Sequence, residues 1–227
     1  MQRALAIVFD LDGVLLDSAP CHHAAFEEIL QPLGIREFNY ADYAGWRTAE
    51  VFETVLQKAD IQFTAGWIAK LSAEKSRVAR EKLAATNPIA PDCIAVLEEL
   101  SLRCELALAS SASRGSVDLF LTANGCAHLF RAVLCGADVQ HAKPHPEIYE
   151  RAFAALGVPP GDAVVVEDAV AGIAAARAAH AGTIIGVTGT CSASQLSAAG
   201  STHVIHSLKE LPDVLSPAYE SANPIRN

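Results

Sequence analysis

Carboxylates, hydroxyls and a lysine directly follow four apolar runs of the sequence. Asp10-Leu11-Asp12-Gly13 follows the first run, Ser110-Ser111 the second, a loop leading to Lys143-Pro144 the third, and Glu167-Asp168 the fourth. If the runs are parallel strands, their carboxyl ends meet at one edge of a sheet, where ligands bind in open α/β folds. The spacing therefore predicts that these polar side chains lie close together.

These residue types suit the binding of a metal ion and a phosphate group. Asp10, Glu167 and Asp168 supply hard oxygen ligands, which favour Mg²⁺ over zinc. Ser110 and Lys143 can hold a phosphoryl oxygen through a hydroxyl donor and a positive charge. Ser111 is a further candidate for phosphate binding, although either serine could instead cap the helix that follows.

The same residues can carry out the chemistry of phosphoryl transfer. Asp10 can act as a nucleophile, because a carboxylate can accept a phosphoryl group as an acyl phosphate. Asp12 would then protonate the leaving alkoxide and later activate water. Mg²⁺ and Lys143 would offset the repulsion between Asp10 and an anionic phosphate.

Strands and helices that could position these residues alternate along the chain. Helical spacing between the later apolar runs predicts helices over 113–124, 146–156 and 169–181. The apolar runs lack polar alternation, which indicates buried parallel strands, over 4–9, 104–109, 132–135, 163–166, 183–187 and 203–205. The alternation predicts an α/β fold with a Rossmann-like, doubly wound parallel sheet.

A helical segment interrupts this alternation after the first strand. Helices are expected over 21–33, 48–59 and 64–85, and the sheet pattern resumes with a helix over 91–100. We therefore predict a catalytic core of residues 1–17 and 88–215, an inserted helical cap of residues 18–87 and a polar tail of residues 216–227. The hinges of the cap would lie near 17–20 and 86–91.

The composition limits the classes of function. The 227 residues are 51% hydrophobic, which is enough for one large domain or two small ones. The net charge of -9 argues against a nucleic-acid binder, although a local positive pocket can still bind an anionic substrate. No run approaches the roughly 18 apolar residues of a membrane helix, so we expect no membrane contact.

The cysteines and the N-terminus favour a cytoplasmic protein. None of the six cysteines forms a CxxC motif, and no Cys/His spacing suits a zinc site. We expect reduced, mostly buried thiols, which a reducing compartment maintains. The N-terminal apolar run is too short for a secretion signal.

Taken in order, the polar motifs resemble those of the haloacid dehalogenase-like superfamily. The motifs are Asp10-Leu11-Asp12-Gly13-Val14, Ser110, Lys143-Pro144 and Glu167-Asp168. The longer string Glu167-Asp168-Ala169-Val170-Ala171-Gly172-Ile173 adds to their specificity. The helical insertion is similar to the cap of the β-phosphoglucomutase and phosphoglycolate-phosphatase-like branch.

The resemblance implies roles for the motif residues. It implies Asp10 as nucleophile and Asp12 as acid and base. It implies Mg²⁺ bound by the Asp10 carboxylate, the Asp12 main-chain carbonyl and Asp168, with Glu167 assisting. Asp12 favours phosphate-ester chemistry, because the true dehalogenases lack an acid two residues after the nucleophile.

The resemblance also implies cap residues that bind the remainder of the substrate. His22 falls where many relatives carry a cap histidine, although His23 beside it is an alternative. Gly45-Trp46-Arg47-Thr48 resembles the substrate-specificity loop of the cap. Lys75 resembles a cap lysine of the mutases, and its mixed-charge surroundings also fit a solvated helix face.

Three functions stay open on this basis. The first is a Mg²⁺-dependent phosphatase that acts on a small phosphomonoester, such as a sugar phosphate or phosphoglycolate, through an aspartyl phosphate. The second is a β-phosphoglucomutase-like mutase, and the third is a catalytically silent relative that only binds a ligand. Arg47 stands two residues after Gly45 rather than three as in the mutases, which favours the phosphatase. The expected partner is a small phosphorylated metabolite, and the intact cap suggests that a monomer suffices.

Overall fold

Parallel strands form one sheet at the centre of the molecule. A computed structural model describes residues 5–222, and these residues contain six strands: β1 (Leu5–Phe9), β2 (Cys104–Ala109), β3 (Ala132–Leu134), β4 (Ala163–Glu167), β5 (Thr183–Val187) and β6 (His203–Ile205). The strand order is β3-β2-β1-β4-β5-β6, and all neighbouring strands pair in parallel. The prediction of a Rossmann-like α/β fold is confirmed.

The strand register places the predicted catalytic edge. Phe9 pairs with Leu108 of β2 and with Val166 of β4, so the residue after β1 is level with the ends of both neighbours. The chain order also reverses between β1 and β4, which creates the crevice where ligands bind in such sheets.

Helices cover both faces of the sheet and form the inserted segment. They are α1 (Ala19–Leu30), α2 (Thr48–Lys58), α3 (Ala65–Thr86), α4 (Cys93–Ser101), α5 (Arg114–Ala123), α6 (Glu147–Leu156), α7 (Val170–Ala178), α8 (Ala193–Ala199) and α9 (Leu211–Ala222). One core cluster joins one face of the sheet to α4, α5 and α9, and a second joins the other face to α6, α7 and α8. Successive strand residues point to opposite faces, so uniformly apolar strands require this double cover.

The inserted segment has a core of its own. Phe26, Phe52, Leu56 and Ile68 are buried against one another between α1, α2 and α3. Two linkers connect this segment to the sheet, and they run beside each other. The Asp17 N–H donates to the Pro88 carbonyl at 2.7 Å, and the Ala90 N–H donates to the Leu15 carbonyl at 2.9 Å.

Several element boundaries differ from the expectations. Helix α1 ends at Leu30 instead of residue 33, because Pro32 has no N–H to continue the helix. Helix α7 ends at Ala178 instead of residue 181, because His180 adopts a left-handed φ of 60°. Helices α8 and α9 were not predicted, although Ser192 and Gln195 form a capping box at the start of α8.

A helix extends into the segment that was expected to form a polar tail. Helix α9 continues to Ala222, and its buried Leu211 and Leu215 hold it against the core. Residues 223–227 lie outside the described part of the chain. The domain limits proposed from the sequence otherwise stay a prediction.

Two further expectations concern the cysteines and membranes. All six cysteines lie within the described residues, where they are buried and form no disulfide bond. Across residues 5–222, no helix combines the length and the apolar character that crossing a bilayer requires.

A pair of leucines tests the placement of the core. Leu97 in α4 is fully buried, whereas Leu102 just beyond α4 is 83% exposed. We expect Leu97→Ala to lower the free energy of unfolding by about 2–5 kcal/mol, because it leaves a cavity in the core. The matched Leu102→Ala should change it by less than about 0.5 kcal/mol. Urea denaturation measures both, and equal losses would contradict the described packing.

Candidate active site

A buried lysine connects two carboxylates at the ends of β1 and β4. Lys143, on the loop between β3 and α6, is 2% exposed. Its ammonium donates hydrogen bonds to Asp10 Oδ1 and Glu167 Oε1, both at 2.6 Å, and to the Ala109 carbonyl at 3.2 Å. Residues that the sequence separates by more than 130 positions therefore meet at the carboxyl edge of the sheet.

Glu167 is held by protein groups at both of its oxygens. Oε1 accepts hydrogen bonds from Lys143 and the Tyr149 hydroxyl, and Oε2 accepts from the N–H groups of Asp168 and Ala169. These partners fit a carboxylate that orients Lys143. That Glu167 also assists a metal ion stays a prediction.

Three buried carboxylates form a candidate metal centre. Ligand oxygens of Asp10, Glu167 and Asp168 lie within 4.8 Å of one another. Burial, together with the neighbouring carboxylates, raises the pKa of Asp10 to about 7 and the pKa of Asp168 well above its usual range. A divalent cation would relieve this excess of negative charge, and an all-oxygen donor set fits Mg²⁺.

Gly13 permits the close approach of the two loops that carry these acids. It has a φ of +79°, and a Cβ at this position would lie 1.7 Å from Asp168 Oδ2. Any other residue would displace the Asp168 carboxylate and strain the backbone.

Asp12 belongs to a second, separate set of contacts. Its Oδ1 accepts a hydrogen bond from the Ser18 hydroxyl at 2.6 Å and lies 2.9 Å from His22 Nε2. Burial alone would raise the pKa of Asp12, but the charge and hydrogen bond of His22 and the Ser18 hydroxyl outweigh it and hold this pKa well below its usual range. Asp12 is therefore ionised, and the His22 ring lies within hydrogen-bond distance of it.

Lys75 extends this set into the inserted helices. It is 5% exposed, and its Nζ lies 2.8 Å from His22 Nδ1 and 4.4 Å from the centroid of the Phe26 ring. Burial lowers the pKa of Lys75 to about 8. The alternative of a solvated helix face was wrong for Lys75, because this side of α3 packs against α1.

His22, and not His23, faces the candidate site. The His22 ring is buried and stacks on Tyr40 at a centroid distance of 5.5 Å. His23 instead lies 3.5 Å from Glu27 on the outside of α1.

The two serines after β2 occupy different environments. Ser110 is buried, and its hydroxyl oxygen accepts the Ala112 N–H at 3.1 Å. The Ser111 hydroxyl donates to the Gly45 carbonyl at 2.9 Å, so it links the core to the inserted segment. Neither serine caps the next helix, since Ser113 caps α5.

The residues after Gly45 point in different directions. Trp46 is 38% exposed and packs edge-on against Tyr43, with ring centroids 5.8 Å apart. The Arg47 guanidinium donates to three main-chain carbonyls of the core, those of Gly136, Val139 and Gln140. Arg47 is thus not directed at the carboxylates in this structure.

Among the cavities at the carboxyl edge of the sheet, two differ greatly in size. A small one of about 40 Å³, here called the catalytic cavity, is lined by Asp10, Asp12, His22, Trp46, Lys75 and Ser110, among others. A larger one of about 780 Å³, here called the hinge cleft, is lined by both linkers, by Tyr40 and by the loops after β5 and β6. The catalytic cavity has room for little more than one water molecule, so the inserted segment is closed over the carboxylates.

Three residues of this site were not predicted from the sequence. Ser18 contacts Asp12, Tyr149 contacts Glu167, and Tyr40 stacks on His22 and lines both cavities. Ser18 lies within a predicted hinge, which offers a weak signal. No sequence pattern marks either tyrosine, because their contacts depend on how the helices pack.

Comparisons with known proteins identify similar sequences. The family model described as haloacid dehalogenase-like hydrolase matches residues 7–185. Fructose-1-phosphate phosphatase YqaB of Escherichia coli (strain K12) is 31% identical over 78% of this chain and 94% of that protein. Hexitol phosphatase B of the same organism is 28% identical over 81% of this chain and 84% of that protein.

Solved structures share the fold. CbbY from Rhodobacter sphaeroides in complex with phosphate has a TM-score of 0.77 and 26% identity, covering 92% of this chain and 96% of that one. A β-phosphoglucomutase from Clostridium difficile has a TM-score of 0.84 at 23% identity, covering 99% of this chain and 100% of that one. The second likeness concerns the fold alone.

The raised pKa values predict how Mg²⁺ binding depends on pH. Below about pH 7, Asp10 keeps a proton that the metal must displace, so the affinity for Mg²⁺ should rise by about tenfold in total from pH 6 to pH 8. The increase in Tm on adding Mg²⁺ should therefore be larger at pH 8 than at pH 6. Asp168→Asn should remove the increase, and equal increases at both pH values would contradict the assignment.

Proposed function

Because the chain belongs to the haloacid dehalogenase-like hydrolase family, we propose that it is a phosphatase that hydrolyses a small sugar phosphomonoester with Mg²⁺. The observation that carries the proposal is the buried Lys143 ammonium between Asp10 and Glu167. It holds a carboxylate nucleophile at the sheet edge, while the separately hydrogen-bonded Asp12 stands two residues away.

The first step is attack by the Asp10 carboxylate on phosphorus. A bond forms between an Asp10 oxygen and phosphorus, and the bond from phosphorus to the sugar oxygen breaks. Lys143 offsets the charge that accumulates on the phosphoryl oxygens, and the Ser110 hydroxyl is available as a donor to them. Mg²⁺, when bound by Asp10, Asp168 and the Asp12 carbonyl, supplies positive charge against the repulsion between carboxylate and phosphate.

Asp12 transfers the protons in both steps. It delivers a proton to the leaving sugar oxygen. It later takes a proton from the water that attacks phosphorus, as the bond from phosphorus to the Asp10 oxygen breaks and inorganic phosphate leaves. His22 lies 2.9 Å from Asp12 and 2.8 Å from Lys75, so these three groups share one hydrogen-bonded path. The path can return a proton to Asp12 for the first step.

Similar proteins support a sugar or polyol phosphate as substrate. The relatives named above are called a fructose-1-phosphate phosphatase and a hexitol phosphatase. A mutase is not favoured by these relatives. Release of inorganic phosphate from sugar and small-acid phosphates, with Mg²⁺ and with EDTA, separates the alternatives. A mutase would instead convert β-glucose 1-phosphate to glucose 6-phosphate when primed with a bisphosphate, and a silent relative would do neither.

We also propose a cytoplasmic enzyme that acts as a monomer. Buried thiols without a disulfide bond among the described residues suit a reducing compartment. The candidate nucleophile, the acid–base carboxylate, the phosphate-binding lysine and the candidate metal ligands all belong to one chain, which supports a monomer as the active unit.

Substitution of the nucleophile tests the proposed chemistry. Asp10→Asn keeps the shape of the side chain but removes the attacking carboxylate, so we expect phosphate release to fall by about a thousandfold or more. Circular dichroism and Tm serve as controls for the fold. Phosphate release close to that of the unaltered protein would exclude Asp10 as the nucleophile.

A second substitution tests the proton path. Burial places the pKa of Lys75 near 8, so its charge beside His22 is present below that pH and lost above it. We expect kcat to decline as the pH rises through about 8, and Lys75→Met to lower kcat and abolish this decline. Lys70→Met removes an exposed lysine of the same helix and is the matched control. An unchanged pH profile in Lys75→Met would exclude Lys75 from the path.

A further inference from the structure

Arg47 is bound by the main chain of the core. Its Nη1 donates to the Gln140 carbonyl at 2.8 Å, and its Nη2 donates to the carbonyls of Val139 and Gly136 at 2.6 and 3.1 Å. Three carbonyls converge on one guanidinium and occupy three of its five N–H donors, one on Nη1 and two on Nη2. The side chain therefore fastens the inserted segment to the loop after β3.

The loop that binds Arg47 is itself held in place. The Gly136 N–H donates to the Ala112 carbonyl at 3.0 Å, and the Gln140 N–H donates to the Glu147 carboxylate at 3.1 Å. A Cβ on Gly136 would lie 2.6 Å from the Ser111 carbonyl oxygen, so the loop also packs tightly against the end of β2. The carbonyls are thus positioned before the inserted segment closes, which favours the contact.

A second hydrogen bond joins the inserted segment to the core close to Arg47. The Ser111 hydroxyl donates to the Gly45 carbonyl at 2.9 Å, two residues before Arg47. Together the two contacts fix the Gly45–Arg47 loop against the core while the catalytic cavity is closed. Opening this cavity requires both contacts to break.

The remaining cavity surface offers little positive charge. Among the described residues that line the catalytic cavity and the hinge cleft, Lys75 is the single lysine or arginine. Its ammonium is already directed at His22 Nδ1. The other polar side chains that line the two cavities are histidines, hydroxyls, an amide and the Trp46 indole, and three carboxylates add negative charge, Asp10 and Asp12 in the catalytic cavity and Asp17 in the hinge cleft.

We infer that Arg47 acts as a clasp, which here means a side chain that holds the inserted segment against the core. Because Arg47 is engaged in this way, the closed site selects substrates with one phosphate and an uncharged remainder over bisphosphates. This inference rests on the proposed function and specifies the substrate class of the same site. A second phosphate dianion would lose its hydration on closure and gain no free guanidinium or ammonium in return. A hydroxyl-rich sugar or polyol can instead exchange its water for the neutral polar groups of the hinge cleft, which is large enough to hold it.

Binding to a variant that cannot turn over tests the inference. The probes are two matched pairs, fructose 1-phosphate with fructose 1,6-bisphosphate and glucose 1-phosphate with glucose 1,6-bisphosphate. Isothermal titration of Asp10→Asn with Mg²⁺ should show at least one monophosphate that binds about tenfold or more tightly than its bisphosphate. Bisphosphates that bind as tightly as the monophosphates, or no binding by either pair, would overturn the inference.

Variants of Arg47 separate a clasp from a phosphate ligand. Adding Arg47→Ala to Asp10→Asn should weaken both members of a pair by a similar factor and leave their ratio within about twofold, since a clasp touches neither phosphate. A selective loss of bisphosphate affinity would show that Arg47 leaves the loop to bind the second phosphate, which overturns the assignment. Arg36→Ala removes an exposed arginine of the same segment and should change neither affinity.

The same samples test the phosphatase assignment and the role of Arg47 independently. Phosphate release by the unaltered protein tests the phosphatase assignment alone. The affinity ratio in Asp10→Asn tests the clasp alone, because this variant lacks the proposed nucleophile. A protein that binds monophosphates preferentially but releases no phosphate would leave the clasp supported and the phosphatase assignment rejected.

Discussion

The buried ammonium of Lys143 is the interaction on which the candidate site depends. It is surrounded by acids that are themselves cut off from water, and burying these charges without partners would be prohibitively costly. Lys143 offsets part of the negative charge, while burial and, after it, the neighbouring carboxylates raise the pKa values of Asp10 and Asp168. The carboxylates of the site thus outnumber its positive charges, and a divalent cation can supply the positive charge that is missing.

The carboxyl groups of Asp10 and Asp12 differ in pKa although they are only two residues apart. Asp10 has a raised pKa, whereas two residues later Asp12 has a lowered one. The difference comes from their partners, since Asp10 stands among carboxylates and Asp12 receives hydrogen bonds from Ser18 and His22. Such a separation of pKa values allows adjacent carboxylates to take different roles in one reaction.

The inserted segment contributes to the site in two ways. His22 and Lys75 extend inward to Asp12, while Arg47 and Gly45 attach the segment to the core beside the cavity. Closure therefore brings the proton path and the clasp into place together. Because the clasp uses main-chain carbonyls, it depends on the shape of the loop after β3.

The sequence by itself determined the fold and the central site. Uniformly apolar strands must be covered on both faces, and parallel strands place their carboxyl ends at one edge, so Asp10, Ser110, Lys143 and Glu167 could be brought together from spacing alone. The capping box at Ser192 was also present in the sequence and would have identified α8.

Only the tertiary structure decided the contacts between the inserted segment and the core. Nothing in the local sequence distinguishes His22 from His23 or a buried Lys75 from a solvated one, because the packing of α1 against α3 selects the face that turns inward. The direction of Arg47 was equally hidden, since its partners are carbonyls, which every residue possesses. Side-chain type predicts the chemistry that is available, whereas the folded backbone decides where that chemistry is directed.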